Sequence, residues 1–247
     1  RLASMTKAIT SVGAMILYER GLFQLNDPVS KFIPEFADMT VVSEVDTNGD
    51  VSATVPATEQ IKIIDLFTHS SGISYPFASN NLQKTYVDAG VIDGLTSKDI
   101  TLAAQMELLA QQPLLFEPGS DYVYGLGLDL LGYLIEVVSG KSLELFFSEE
   151  IFTPLNMHDS YFYLPESKFN RLATLYSEVD EDQLTVSQGH ESNIILDNPR
   201  YPAGNGQSYF SGGAGVSSTA YEYARFIQML LNNGELDGSR ILGRKSV

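Results

Sequence analysis

Residues 1–10 read RLASMTKAIT, and the decisive part is Ser4-Met5-Thr6-Lys7. From Ser4 to Arg20 the apolar residues Met5, Ala8, Ile9, Val12, Met15 and Ile16 recur at three- and four-residue steps, and Gly21 supplies a stop. The stretch predicts one amphipathic helix. A serine that opens a helix is ordinarily a cap, and a lysine in the first turn is ordinarily solvated surface. The same two residues nevertheless stand one turn apart on one helix face, so the Lys7 amine can reach the Ser4 hydroxyl. A helix N-terminus also favours the negative charge that builds on a serine alkoxide or an acyl oxyanion. Lysine becomes a base only where burial or a neighbouring cation disfavours its ammonium form, and the sequence around Lys7 is apolar. Taken alone, S-x-x-K leaves both readings open.

Downstream, LFQLNDPVSKFIPEF (residues 22–36) carries two prolines and reads as a turn and a short helix. Residues 40–56 alternate β-branched and polar side chains around Asn48-Gly49, the signature of an inserted β-hairpin. Its DTNGD stretch lacks the glycine position and the closing glutamate of a calcium loop, so it reads as a plain turn. IKIIDLFTHSSGI (61–73) is a short helix ending in a polar loop, and a helix is expected over 97–112 with Ser97 or Asp99 near its N-cap. FEPGSDYVYG (116–125) is a Pro-Gly turn with two tyrosines, followed by apolar helices over 128–140 and 142–152. Residues 176–210 show sparse periodicity and read as irregular chain, and a last helix follows the Ser211–Gly215 glycine-rich loop.

The 247 residues are 44% hydrophobic and 19% charged, enough to bury a core without any compositional sign of disorder. A net charge of −16 opposes a nucleic-acid partner, which leaves small or neutral molecules. The absence of cysteine excludes thiol catalysis and Cys-ligated zinc in this sequence. His69, His158 and His190 have none of the spacing of a metal site, so neither metal nor cofactor is expected. No run approaches the roughly 18 apolar residues of a membrane helix. His69 invites a Ser/His reading, but no Gly-x-Ser-x-Gly elbow exists, and a structural hydrogen-bonding role is expected. SGGAG lacks the Lys-Ser/Thr ending of a phosphate-binding loop.

Four blocks, in order, resemble the serine β-lactamase-related superfamily, which includes class C β-lactamases, penicillin-binding proteins and family VIII carboxylesterases. They are residues 3–36, IIDLFTHSSGI (63–73), residues 116–157 and GGAGVSSTAYEYARFIQMLLNNGEL (212–236). The resemblance implies an α+β, β-lactamase/transpeptidase-like fold: an antiparallel sheet with helices plus a helical lobe. It implies Ser4 as the acyl-forming nucleophile, Lys7 as its base or proton relay, and Tyr124 as the tyrosine of the second motif. Tyr122 is the rival tyrosine, more simply a wall of the pocket, and Gly213 is expected to line one side of the site. Where class C members read Tyr-x-Asn, this chain reads Tyr124-Gly125-Leu126. Leu126 in place of the amide donor should make the local wall more apolar, which favours esters over β-lactams.

From these comes one expectation: a serine hydrolase forming an acyl-enzyme on Ser4, a carboxylesterase on short-chain esters. A β-lactamase or D-Ala-directed peptidase is the runner-up, and a non-catalytic module that binds β-lactams or cell-wall peptides is the third reading. The chain is expected to be one domain over residues 1–247, truncated at both ends, helix-rich and lacking most of the sheet strands. The third motif of the family and its second oxyanion donor would then fall outside it, leaving the segment inactive alone. Natural substrate and oligomeric state are left open, and so is compartment, with a periplasmic or secreted one favoured.

Overall fold

The computed structural model describes residues 1–95, 98–180, 183–187, 201–203 and 208–247. The chain opens with a 3-10 turn over Ala3–Met5 that runs straight into helix α1, Thr6–Glu19. Ser4 is therefore in the turn that precedes the helix, with Lys7 in the first helical turn. Of the stripe that the spacing predicts, Ile9, Val12 and Ile16 are buried, Ala8 and Met15 are partly buried and Met5 is exposed, while Leu17 joins the buried face. The 22–36 stretch forms two short 3-10 turns, Val29–Lys31 and Pro34–Phe36, in place of one short helix, because Pro28 and Pro34 each interrupt backbone bonding.

Strands β1 (Thr40–Val45) and β2 (Val51–Pro56) form an antiparallel hairpin with irregular register at Glu44. Its turn is closed by Asp46, whose Oδ1 accepts the N–H groups of Asn48 at 2.8 Å and Asp50 at 3.0 Å. Backbone bonds between Thr40, Val42 and Leu114 fasten the hairpin to the segment that leads into the tyrosine motif.

Helices α2 (Ile63–Thr68), α3 (Gln83–Asp88) and α4 (Leu102–Ala110) follow. Helix α4 starts later than expected because Thr101 is its cap, accepting the Ala104 N–H at 3.1 Å; Ser97 lies outside the described residues. Helix α5, Gly127–Ser139, is the hub, packed against α1, α2 and α4 and against α6 (Leu143–Phe147). It buries Leu128, Leu130, Leu131, Leu134 and Ile135, and stops at Gly140 in the left-handed conformation.

The amphipathic stretch 142–152 begins as α6 but widens into a π turn over Ser148–Phe152, with Thr153 N–H donating to the Ser148 carbonyl. On an α-helix an i, i+5 pair lies about 140° apart. The wider turn, with its i→i+5 bonds, brings such a pair onto one side. Phe147 and Phe152 are thus both buried and meet edge to face, 6.0 Å between centroids.

Residues 176–210 are not irregular throughout. Strands β3 (Tyr176–Asp180) and β4 (Gln183–Val186) pair antiparallel, while 188–200 and 204–207 lie outside the described residues. Tyr176, Leu184 and Val186 are all exposed, so no apolar face marks the hairpin in the sequence. Helix α7, Ala220–Leu231, is capped by Thr219 and followed by a minimal hairpin of β5 (Glu235–Leu236) and β6 (Ser239–Arg240). Among the described residues the strands form three two-stranded sheets.

Candidate active site

Three segments distant in sequence converge at the start of α1. The 211–216 turn is laced to that helix: Thr10 Oγ1 donates to the Gly212 carbonyl at 2.6 Å, Val216 N–H donates to Thr6 Oγ1 at 3.1 Å, and Leu2 N–H donates to the Val216 carbonyl at 2.8 Å. The 73–75 segment lies against the start of α5, where Leu126 N–H reaches the Ser74 carbonyl. Ala3, immediately before the serine, has φ of 47°. That is a left-handed conformation costly for a residue with a Cβ, and such strain gathers at functional sites.

Ser4 Oγ and the Tyr124 hydroxyl share a hydrogen bond of 2.6 Å. Lys7 Nζ donates to Ser4 Oγ at 3.3 Å, to the Tyr75 hydroxyl at 3.1 Å and to the Gly213 carbonyl at 2.8 Å. Those three acceptors match the three donors of an ammonium group. The same nitrogen lies 4.6 Å from the centre of the Tyr124 ring. The arrangement holds a hydroxyl between a phenol and an ammonium, which suits transfer of a proton from an attacking serine and support of its developing charge.

Tyr124 is fixed by aromatic neighbours, with His69 at 4.8 Å and Tyr75 at 5.4 Å between centroids. Tyr75 was not singled out by sequence, where it is one tyrosine after a Ser-Gly loop. It is 3% exposed, and burial, with Asp129 and Tyr124 adding to it, pushes its phenol far above the usual range, so it stays a neutral hydroxyl beside Lys7.

The remaining expected site residues are placed differently. Tyr122 is 63% exposed and meets the edge of His69 at 6.0 Å, one ring further from Ser4 than Tyr124. Leu126 does not form an apolar wall. It is fully buried at the N-terminus of α5, because the chain turns into the helix there and carries its side chain into the core. Gly213 touches the site through its backbone carbonyl, as a partner of Lys7 rather than as a lining surface. No group of three or more acidic or histidine side chains suited to a metal occurs among the described residues, and His190 lies outside them.

His69 caps α2 with φ of 57°, and its Nδ1 accepts the Gly125 N–H at 3.4 Å. Burial lowers its imidazole from 6.5 to about 4, and the Lys7 charge adds to this. The folded state therefore disfavours the imidazolium relative to the unfolded chain. The stability it contributes is complete above pH 6.5 and is lost as pH falls towards about 4. His69→Asn, which tolerates the left-handed backbone, should flatten the dependence of the urea midpoint on pH in that window. An unchanged slope would exclude His69 as its source.

The family model described as Beta-lactamase matches residues 1–246. Protein Rv1367c of Mycobacterium tuberculosis is 34% identical over 248 residues, covering 100% of this chain and 57% of that protein. Esterase EstB of Burkholderia gladioli is 29% identical over 94% of this chain and 57% of its own length. Among solved structures, EstCE1, described as a hydrolase with promiscuous acyltransferase activity, has a TM-score of 0.78 and 29% identity, over 100% of this chain and 61% of its own. The chain thus spans little more than half the length of the curated relatives it matches. No described helix is long and apolar enough to cross a membrane.

Proposed function

Because the chain belongs to the Beta-lactamase family and has its β-lactamase/transpeptidase-like fold, we propose that the protein is a serine hydrolase that forms an acyl-enzyme on Ser4, acting on short-chain carboxylic esters. The observation that carries this reading is the position of Ser4 Oγ, 2.6 Å from the Tyr124 hydroxyl and 3.3 Å from Lys7 Nζ.

In the first half-reaction Ser4 Oγ attacks the ester carbonyl while its proton passes to the Tyr124 oxygen. Tyr124 gives its own proton to the departing alkoxide, so an alcohol leaves and an ester to Ser4 remains. Water then attacks that ester along the same relay in reverse, releasing the acid and restoring Ser4. Lys7 steadies the negative charge on Oγ, and the N-terminal end of α1 favours the charge on the carbonyl oxygen. Tyr75 and the Gly213 carbonyl hold the lysine in place.

Preference for esters is supported by the esterase relatives. The apolar wall expected from Leu126 does not contribute, since that side chain is buried. The intact set of Ser4, Lys7 and Tyr124 weighs against a purely binding role.

Treatment of the full-length protein with a fluorophosphonate should give a single adduct whose peptide maps to Ser4. kcat/KM for p-nitrophenyl acetate should exceed that for a chromogenic cephalosporin by about tenfold or more. An adduct elsewhere, or none, removes the acyl-enzyme reading. A preference for the cephalosporin replaces the ester with a lactam.

A further inference from the structure

Against Gly213, the residue whose carbonyl accepts from Lys7, lies a carboxyl group that the proposed reaction does not use. Asp129 stands in the first turn of α5 among leucines and is fully buried. Burying a carboxyl on an otherwise apolar stripe is costly, so a residue kept only for packing would be better served by another leucine. Its contacts point in one direction. Oδ1 accepts the Ser211 hydroxyl at 2.5 Å and faces the Tyr209 hydroxyl at 3.4 Å. Ser211 Oγ in turn accepts the Ala214 N–H at 3.0 Å, tying the carboxyl to the turn.

Oδ2 makes no hydrogen bond among the described residues and lies against Gly213, whose N–H lends it electrostatic support. A Cβ at Gly213 would overlap that oxygen and come within 3.2 Å of the Tyr75 hydroxyl, so the turn can approach only as glycine. The carbonyl of the same Gly213 is the acceptor at 2.8 Å from Lys7 Nζ. One side of the residue meets Asp129, and its carbonyl meets the lysine. The charge of Lys7 is also among the influences that favour the ionised carboxyl, against the burial that opposes it.

We propose that Asp129 is the positioning residue for Lys7: through Ser211 and the 211–214 turn it sets the Gly213 carbonyl, and so holds the amine against Ser4. The inference rests on the acyl-enzyme reading of Ser4. A displacement of about 1 Å at a reacting group can cost about a hundredfold in rate. The loss should fall on chemistry rather than on binding, since none of the groups joined by Asp129 other than Lys7 reaches Ser4.

The test is a double-mutant cycle on the full-length protein, read by the rate of fluorophosphonate acylation and by kcat and KM for p-nitrophenyl acetate. Asp129→Asn, which conserves shape, should lower kcat and the acylation rate by about 10- to 100-fold, with KM within about twofold. In a Lys7→Ala background the same substitution should change the rates by less than about twofold, because the group it positions is gone. A merely structural role predicts an equal loss in both backgrounds.

Where Asp129→Asn fails to fold by circular dichroism, Ser211→Ala, which keeps the carboxyl and cuts its link to the turn, runs the same cycle. Parental rates in Asp129→Asn, or an undiminished loss in the Lys7→Ala background, overturns the proposal. Failure of the parent protein to acylate Ser4 is a different result and overturns the acyl-enzyme reading instead.

Discussion

Ser4→Ala should lower kcat for ester hydrolysis by about 10⁴-fold or more, and Lys7→Ala and Tyr124→Phe should each lower it by about 10²- to 10⁴-fold. In the proposed reaction Oγ is the atom that would form the acyl bond, so removing it closes the covalent route. Tyr124→Phe deletes the hydroxyl that lies 2.6 Å from Oγ while keeping the ring that packs on His69 and Tyr75. The variant should therefore fold normally and bind ester with KM little changed. Lys7→Ala removes three hydrogen bonds at once, including those to Tyr75 and Gly213, so part of its cost comes from loosened geometry.

Groups that act as one relay lose their value together. The Lys7→Ala/Tyr124→Phe double variant should be only slightly slower than the worse single one. Steady-state kinetics on p-nitrophenyl acetate measures all four proteins, and a Tyr124→Phe rate within threefold of the parent would remove Tyr124 from the relay.

Gly125→Ala should destabilise the fold by about 3 kcal/mol or more and take activity with it. The added methyl would overlap the Ile73 carbonyl oxygen and lie 2.8 Å from both the Ile73 carbonyl carbon and Ser74 Cα. Every obstacle is backbone, so no rotamer change relieves the clash. The segments must separate, and they are the ones that carry Tyr124 and Tyr75. Gly140→Ala makes the contrast, since at φ of 68° nothing lies within 4 Å of its would-be Cβ. Its cost is that of a left-handed alanine, about 1 to 2 kcal/mol, with no effect on kcat. Urea unfolding followed by circular dichroism ranks the two, and equal midpoints would mean that the 73–75 and 124–126 segments are not held in contact.

The sequence carried the helices well wherever a long apolar stripe met a clear stop. Helix α1 has its stripe and Gly21, and α5 has its leucines and Gly140. The β1–β2 hairpin was legible from Asn48-Gly49 and alternation. The β3–β4 hairpin was not, because Tyr176, Leu184 and Val186 are exposed and mark no buried face. The π turn at 148–152 was equally hidden, since its cause is the demand that Phe147 and Phe152 share one side of the core.

Within the site, Ser4, Lys7 and Tyr124 could be named because they fall in ordered blocks with local spacing. Leu126 is buried rather than facing the site for a physical reason. Two residues past Tyr124 the chain enters a helix, and the direction of a side chain at such a junction depends on packing rather than on spacing. Neither Tyr75 nor Asp129 has a role that local spacing can assign, one being a tyrosine in a loop and the other an acid within a leucine-rich helix.

By itself, then, the sequence determined the helical stripes, their stops and the one-turn spacing of Ser4 and Lys7, because these follow from contacts within one or two turns of the chain. Tertiary structure alone decided that Lys7 is held by Tyr75 and Gly213, and that Asp129 is tied through Ser211 to the turn that carries Gly213. Those contacts join residues tens to hundreds of positions apart, and only the packing of α1, α5 and the 211–216 turn brings them within hydrogen-bond reach.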